Sequence, residues 1–263
     1  MEIILLFVFL GIIIWAFFTN VVWGFVLAVV LGLYYYFKKL SGLFTMLALR
    51  AYGNGDIKGC FRWFELAYKR GMDIPQKINY AYYLLREGRV ERSEKLLNSM
   101  LAFSMKPELK NLAKANHALL LLKTDRLMEA IEELEEIFPQ YKTTAVYSNL
   151  GYLYILTGDM EKAKSFNHEA YEYNSDNAII LDNMVQLYIK LGDYGKAYEY
   201  VMQLLDKQPT FIEAYYDAAL VEKELGKYED AREHLTHALT IRTTYLSTVT
   251  HEIAQALLDS LPA

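Results

Sequence analysis

Hydrophobic and polar positions divide the chain into two regimes. From Ile3 to Phe37 the stretch IILLFVFLGIIIWAFFTNVVWGFVLAVVLGLYYYF carries no charged residue. Beyond it, apolar residues recur at the three- and four-residue spacing of helices, and no strand pattern of useful length occurs. One helix over all of the first regime would be about 52 Å long, against about 30 Å of hydrocarbon. Thr19-Asn20 is the one polar break near its middle, and Asn favours turns. Trp15 and Trp23 flank that break, while Tyr34, Tyr35 and Tyr36 precede Lys38-Lys39. A hairpin would set the two Trp residues at one membrane interface and the Tyr cluster at the other.

The pattern therefore predicts a membrane anchor over residues 1–39, a transmembrane helical hairpin with spans 3–18 and 21–37. Each span is about 24–26 Å long, short enough to imply local thinning of a bilayer. The other reading is one span followed by an interfacial helix. A basic start and a small-residue cleavage site, the marks of a signal peptide, are missing. Lys38, Lys39 and Arg50 all follow the segment, so the positive-inside rule predicts a multi-pass plasma-membrane protein with the rest of the chain cytoplasmic.

The second regime repeats itself. ILTGDMEKA at 155–163 returns as IKLGDYGKA at 189–197 and as KELGKYEDA at 223–231. Gly158, Gly192 and Gly226 line up, as do Ala163, Ala197 and Ala231, at an interval of thirty-four residues. Counted from Thr144, the first of these units carries Tyr147, Leu150, Gly151, Tyr154, Gly158, Ala163 and Ala170. This resembles the tetratricopeptide (TPR) signature, with Ser175 where the late proline is expected. Units from Ala178 and Ile212 keep Tyr188, Gly192, Ala197 and Pro209, then Tyr215, Ala219, Gly226, Ala231 and Ala238.

Upstream the pattern is worn. Residues 41–73 hold Ala48, Gly55, Cys60, Phe64 and Ala67; residues 74–107 hold Ala81, Leu84, Gly88, Ser93 and Leu97. Residues 111–143 hold Ala118, Ala130 and Leu134, with Asp125 in the glycine slot and one residue lost around Phe138-Pro139. Residues 246–263 read as a capping helix with Leu246, Val249, Ile253 and Leu257 on one face. The resemblance implies an all-α fold: an N-terminal transmembrane hairpin, a TPR α-solenoid of about six repeats over 41–245, and that cap. Small residues would let paired helices approach, and the glycine would end each first helix in a left-handed turn.

Composition narrows the chemistry. One cysteine excludes an internal disulfide and any CxxC motif. Cys60 falls in the buried small slot and reads as a packing thiol. The net charge of −5 becomes −6 once Glu2, Lys38 and Lys39 are set aside (25 basic against 31 acidic), which gives no footprint for nucleic acid. His234 and His237 stand three apart without a third ligand and read as surface residues, His117 as a core residue. His251-Glu252 lacks the second histidine of a zincin motif, and phosphate-binding and nucleophile-elbow motifs are missing. The reading is a non-enzyme with no catalytic residue, metal, cofactor or small-molecule substrate.

The resemblance also implies a concave groove lined by the first helix of each repeat. Position 6 carries Asn79, Asn116, Asn149 and Asn183, then Asp217. Such a ladder can donate to and accept from an extended peptide backbone; equally, the asparagines can serve local structure. Neighbouring groove positions are Tyr82, Arg86, Lys123, Tyr152, Gln186, Lys190 and Tyr216. TPR clamps for chaperone C-termini need basic residues where this chain has Ala145, Ser148, Ile179, Asp182 and Glu213.

The expected function is a membrane-tethered scaffold or adaptor that binds a protein partner's segment in the groove. The alternative is an assembly or accessory subunit of an integral membrane complex, held by its hairpin, whose Gly11, Gly24 and Gly32 allow close helix packing. Helix GLFTMLALRAY (42–52), apolar nearly all round, is expected either to pack on the hairpin, a bilayer or a partner span, or to lie buried inside the array.

Overall fold

The computed structural model describes residues 2–262, with the side chains of 2–8, 34, 35, 37 and 38 left aside. It contains α-helices and one short 3-10 turn, and falls into two compact units, residues 1–77 and 78–263. The expected Tyr34-Tyr35 pair and Lys38 lie outside the described side chains.

The first unit is built from α1 (Glu2–Thr19), α2 (Val21–Gly53) and α3 (Ile57–Lys69). Asn20 separates the first two: its Oδ1 accepts from the amides of Val22 at 3.0 Å and Trp23 at 3.4 Å, capping α2. The helices meet closely where Gly24 faces Phe17, since a Cβ there would stand 2.5 Å from the ring. Phe17 and Phe25 pack edge to face at 5.1 Å. Asp56 caps α3 by accepting from Gly59 N at 2.8 Å. Ala48 of α2 and Cys60, Phe61, Phe64 and Ala67 of α3 are buried, and Phe44 stacks on Trp63 at 5.6 Å.

Two expectations change here. Residues 42–52 are not a separate helix, because α2 runs without a break to Gly53; Ser41, Thr45 and Ala48 are buried while Leu43 and Met46 are exposed. The membrane assignment is also corrected. Among the described residues no helix is long and apolar enough to cross a membrane. The 18 residues of α1 give about 27 Å, below the roughly 30 Å of a hydrocarbon core. Helix α2 has length, but it continues through Lys39, Ser41, Thr45 and Arg50 rather than ending at residue 37. The multi-pass plasma-membrane location and the cytoplasmic orientation of the repeats fall with it, since the lysine rule has no span to orient.

The second unit takes in most of α4 (Ile74–Arg86), then α5 (Val90–Leu101), α6 (Pro107–Lys123), α7 (Leu127–Ile137), α8 (Thr144–Thr157), α9 (Met160–Tyr173), α10 (Ala178–Lys190), α11 (Tyr194–Asp206), α12 (Ile212–Glu224), α13 (Tyr228–Ala238) and α14 (His251–Asp259). From α6 onward each helix packs on its chain neighbour, and first helices also meet, α6 with α8, α8 with α10, α10 with α12. This is the pairing of a helical solenoid. Ala130, Ala163, Ala197 and Ala231 are fully buried at the close crossings. Gly158 ends α8 at φ 82°, a left-handed cap, and Asp125 takes the same turn at φ 58°. In the worn second repeat, Ser93 of α5 fills the small slot and bonds the Ala81 carbonyl of α4 at 2.7 Å.

Helix α14 starts only at His251, capped by Thr250, whose hydroxyl accepts from Ile253 N at 3.3 Å. Its Ala254 and Leu257 pack with Ile212, Ala219, Leu235 and Ala238 of the last pair. Leu246 and Val249, expected on the helix, instead belong to a non-helical segment between α13 and α14. That segment decides the state of the groove.

Candidate functional site

The site begins at helix ends. The last carbonyls of an α-helix have no partner within it. Arg86 ends α4 and Lys123 ends α6, and both carbonyls accept from one residue: Tyr245 donates its amide to Arg86 O at 3.0 Å and its hydroxyl to Lys123 O at 3.2 Å. The Lys123 ammonium donates to Ser247 O at 3.2 Å and stands 5.8 Å from the Tyr245 ring. Burial lowers the pKa of Lys123, opposed by the charge of Glu213. Arg242 meets the Glu87 carboxylate at 2.5 Å.

Farther along, Glu213 of α12 accepts from Thr248 N at 2.6 Å and Val249 N at 3.4 Å. Tyr152 of α8 lies beside Thr248. Residues 242–249 thus form a strap held against α4, α6, α8 and α12, the first helices of their pairs. Inside it a turn closes through Ser247 N to Thr244 O at 3.0 Å. At its base His251 Nε2 donates to Ile241 O at 2.7 Å, pinning the two ends of the loop together.

Beside the strap lies an acidic floor. Asp182 of α10 is 5% exposed; its Oδ2 accepts from Gln186 Nε2 at 2.9 Å, while Oδ1 has no hydrogen-bond partner. Burial, then the charges of Asp217 and Glu213, push Asp182 well above the ordinary carboxylate range. Burial, then Glu213, raise Asp217 to about 7, against the opposing effects of a Gln186 hydrogen bond and Lys190. Tyr152 is pushed up as well, first by burial and then by these carboxylates.

The asparagine ladder divides. Asn183 is 1% exposed, and its amide donates to Ser148 O at 2.7 Å, a clamp between α10 and α8. Asn116 bonds its own helix at Leu112 O, 3.3 Å. Asn149 is half-buried on α8 and Asn79 exposed on α4. Tyr82 packs against Tyr83 at 5.5 Å, Tyr216 is half-buried and Lys190 exposed. Of the groove residues expected from sequence, the fold brings Lys123 and Tyr152 to the strap and sets Gln186 and Asp217 in the acidic floor. The strap itself, with Tyr245, Ser247 and Thr248, was missed. Its signal was the run TTYLST, which has no helical period between two helical segments.

The histidines are engaged. His234 Nδ1 lies 2.8 Å from Glu222, whose hydrogen bond raises its pKa, and the His237 ring packs 4.3 Å from Tyr215. His117 Nδ1 meets Glu133 at 2.7 Å. Among the described residues no three His, Cys, Asp or Glu are grouped to hold a metal.

The tetratricopeptide repeat family model matches residues 144–177, 178–210 and 212–245. The chain is similar to TPR repeat-containing protein YvcD of Bacillus subtilis (strain 168), 31% identical over 119 residues, or 45% of this chain and 25% of that protein. It is also similar to BBSome complex member BBS4 of Bos taurus, 28% identical over 103 residues, or 39% of this chain and 20% of that one. The chain therefore spans a quarter or less of these relatives. Among solved structures, a tetratricopeptide repeat protein from Parabacteroides merdae ATCC 43184 superposes with a TM-score of 0.66 at 16% identity, covering 83% of each chain. PilW, a widely conserved type IV pilus biogenesis factor, gives 0.61 at 15% identity, covering 83% of this chain and 99% of its own. These two show the fold. Residues 144–245 thus match three tetratricopeptide repeats, and they lie on an all-α helical solenoid of the fold that these solved structures share.

Proposed function

We propose that the concave groove of the second unit binds an extended segment of a protein partner. The observation that carries this reading is the strap: an irregular stretch of polypeptide already satisfies the groove's helix-end carbonyls, Lys123 and Glu213. A groove that holds one non-helical segment through such groups offers the same donors and acceptors to another. Tyr152, Lys123, Asn149 and the outer edge of Gln186 are its contact residues. The partner role accords with the description of BBS4 as a member of a complex.

The test is site-specific crosslinking. A photo-crosslinking amino acid at Asn149 should capture a protein partner in cells, and one at Lys164, exposed on α9, should not. Lys123→Glu should reduce that capture by about fivefold or more, the size expected when a well-placed contact is reversed. A partner captured only from Lys164, and untouched by Lys123→Glu, would show that the groove is not the binding face.

A further inference from the structure

We propose that residues 242–249 are the groove's resident ligand, and that the partner segment shares their chemistry: a non-helical, turn-forming backbone bearing an aromatic side chain, with small hydroxyl-bearing residues after it. The partner enters by displacing the strap. This deepens the groove reading and rests on it.

Each wall group receives from the strap what its chemistry requires. The helix-end carbonyls of Arg86 and Lys123 lack partners in their own helices and need donors; an amide and a phenol from Tyr245 supply them. The Lys123 ammonium needs an acceptor and finds the Ser247 carbonyl. Glu213 needs N–H or O–H donors and takes the amides of Thr248 and Val249, with the Thr248 hydroxyl at 3.4 Å. Several of these contacts are to main chain, which a segment of any sequence with the same turn can provide. The selective ones are the Tyr245 ring, 5.8 Å from the Lys123 ammonium, and the Thr248 hydroxyl, 3.4 Å from Glu213.

The strap is held in a way that permits release. Tyr245 remains 41% exposed, and of the strap only Val249 belongs to the apolar core. Polar contacts with little apolar burial are what mark segments that open locally. The pin from His251 to Ile241 lies at the base, so the strap can leave while α14 keeps its place on α13. A tethered ligand acts at a millimolar-range effective concentration. A competing segment therefore sees only the fraction of molecules whose strap is open, and its apparent affinity is reduced by that fraction.

The experiment uses the full chain and a fluorescein-labelled synthetic peptide, IRTTYLSTV, the sequence of residues 241–249. Anisotropy titration should show weak binding to the wild type and at least about tenfold tighter binding to Arg242→Ala/Tyr245→Ala, whose strap is loosened. The same peptide with Ala in place of Tyr should not bind. Hydrogen exchange at the Thr248 amide reports opening, and far-ultraviolet circular dichroism reports the fold. If the double variant does not fold, Arg242→Ala alone, which removes the half-exposed arginine from its pair with Glu87, takes its place. A folded variant with a fast-exchanging Thr248 amide and no gain in peptide binding overturns the proposal. A strap found exchanged between two copies of the chain overturns it too. The peptide result reads the strap, and the Asn149 crosslink reads the partner, so failure of one is told from failure of the other.

Discussion

The side-chain amide of Asn183 donates to the main-chain carbonyl of Ser148 at 2.7 Å, joining the first helices of two successive repeats. At 1% exposure this is an internal clamp. Asn183→Ala leaves a buried carbonyl without its donor, and the expected cost is about 1–3 kcal/mol. Asn149, half-buried on α8, should lose less than about 0.5 kcal/mol when changed to Ala. Urea denaturation of both variants decides. Equal effects would mean the two asparagines share one role after all.

Gly151 is the matching point one turn along. A Cβ built there would stand 2.4 Å from Asn167 Oδ1, and Asn167 is fully buried with its amide bonded to Gly151 O at 3.0 Å and Ala163 O at 2.9 Å. Gly151→Ala must push Asn167 aside and break both bonds, costing about 1–3 kcal/mol. In the Asn167→Ala background the added methyl has room, so the second substitution should cost much less there. A double-mutant cycle that shows simple additivity would disprove the contact.

The same residues show what a sequence displays and what it conceals. Gly158, Ala163 and Ala197 are dictated one by one, by a left-handed turn and by close helix crossings, so their spacing alone announces the repeats. Whether position 6 faces outward or inward depends on how one repeat rotates on the next, and no single residue records that. Asn183 therefore lies inside while Asn149 is half-exposed. The strap was hidden for another reason: TTYLST has no period, and its partner Lys123 lies 122 residues from Tyr245. At the N-terminus, the lack of charge up to Phe37 suggested that a helix ends there. Nothing between Phe37 and Gly53 breaks a helix, so α2 continues and the apolar run becomes only part of a longer element.

Asp125 takes a left-handed turn at φ 58°, in the slot that glycine fills in the later repeats. Aspartate tolerates this region better than most residues but still bears some strain. Asp125→Gly relieves it, at the cost of more freedom in the unfolded chain. The expected net effect is a gain of up to about 1 kcal/mol. Asp125→Val, with a branched Cβ, should lose about 1–2 kcal/mol. Thermal melting of the pair tests both signs, and a more stable Val variant would remove the strain argument.

The acidic floor contributes stability that is lost as pH rises toward neutrality. Asp182 and Asp217 titrate near 3.8 when unfolded, and folding raises both, Asp217 to about 7. A group raised on folding contributes stability that is fully present below its unfolded value and is lost as pH rises through its folded value. For Asp217 that window runs from about 4 to about 7. The groups facing it are Glu213 and Asp182, which oppose its ionisation, and Lys190 and Gln186, which favour it. His234, raised above 6.5 chiefly by its hydrogen bond to Glu222, adds a loss of the same sign at higher pH. Asp217→Asn keeps the shape and removes the charge. It should be close to wild type at pH 5 and more stable by about 1–3 kcal/mol at pH 8, given that one pKa unit is worth about 1.4 kcal/mol. Paired with His234→Gln, the variant should lose a further part of the slope between pH 6 and pH 8, and Asp182 keeps the rest. Melting curves for wild type and Asp217→Asn that run parallel from pH 5 to pH 8 would show that the floor carries no such linkage.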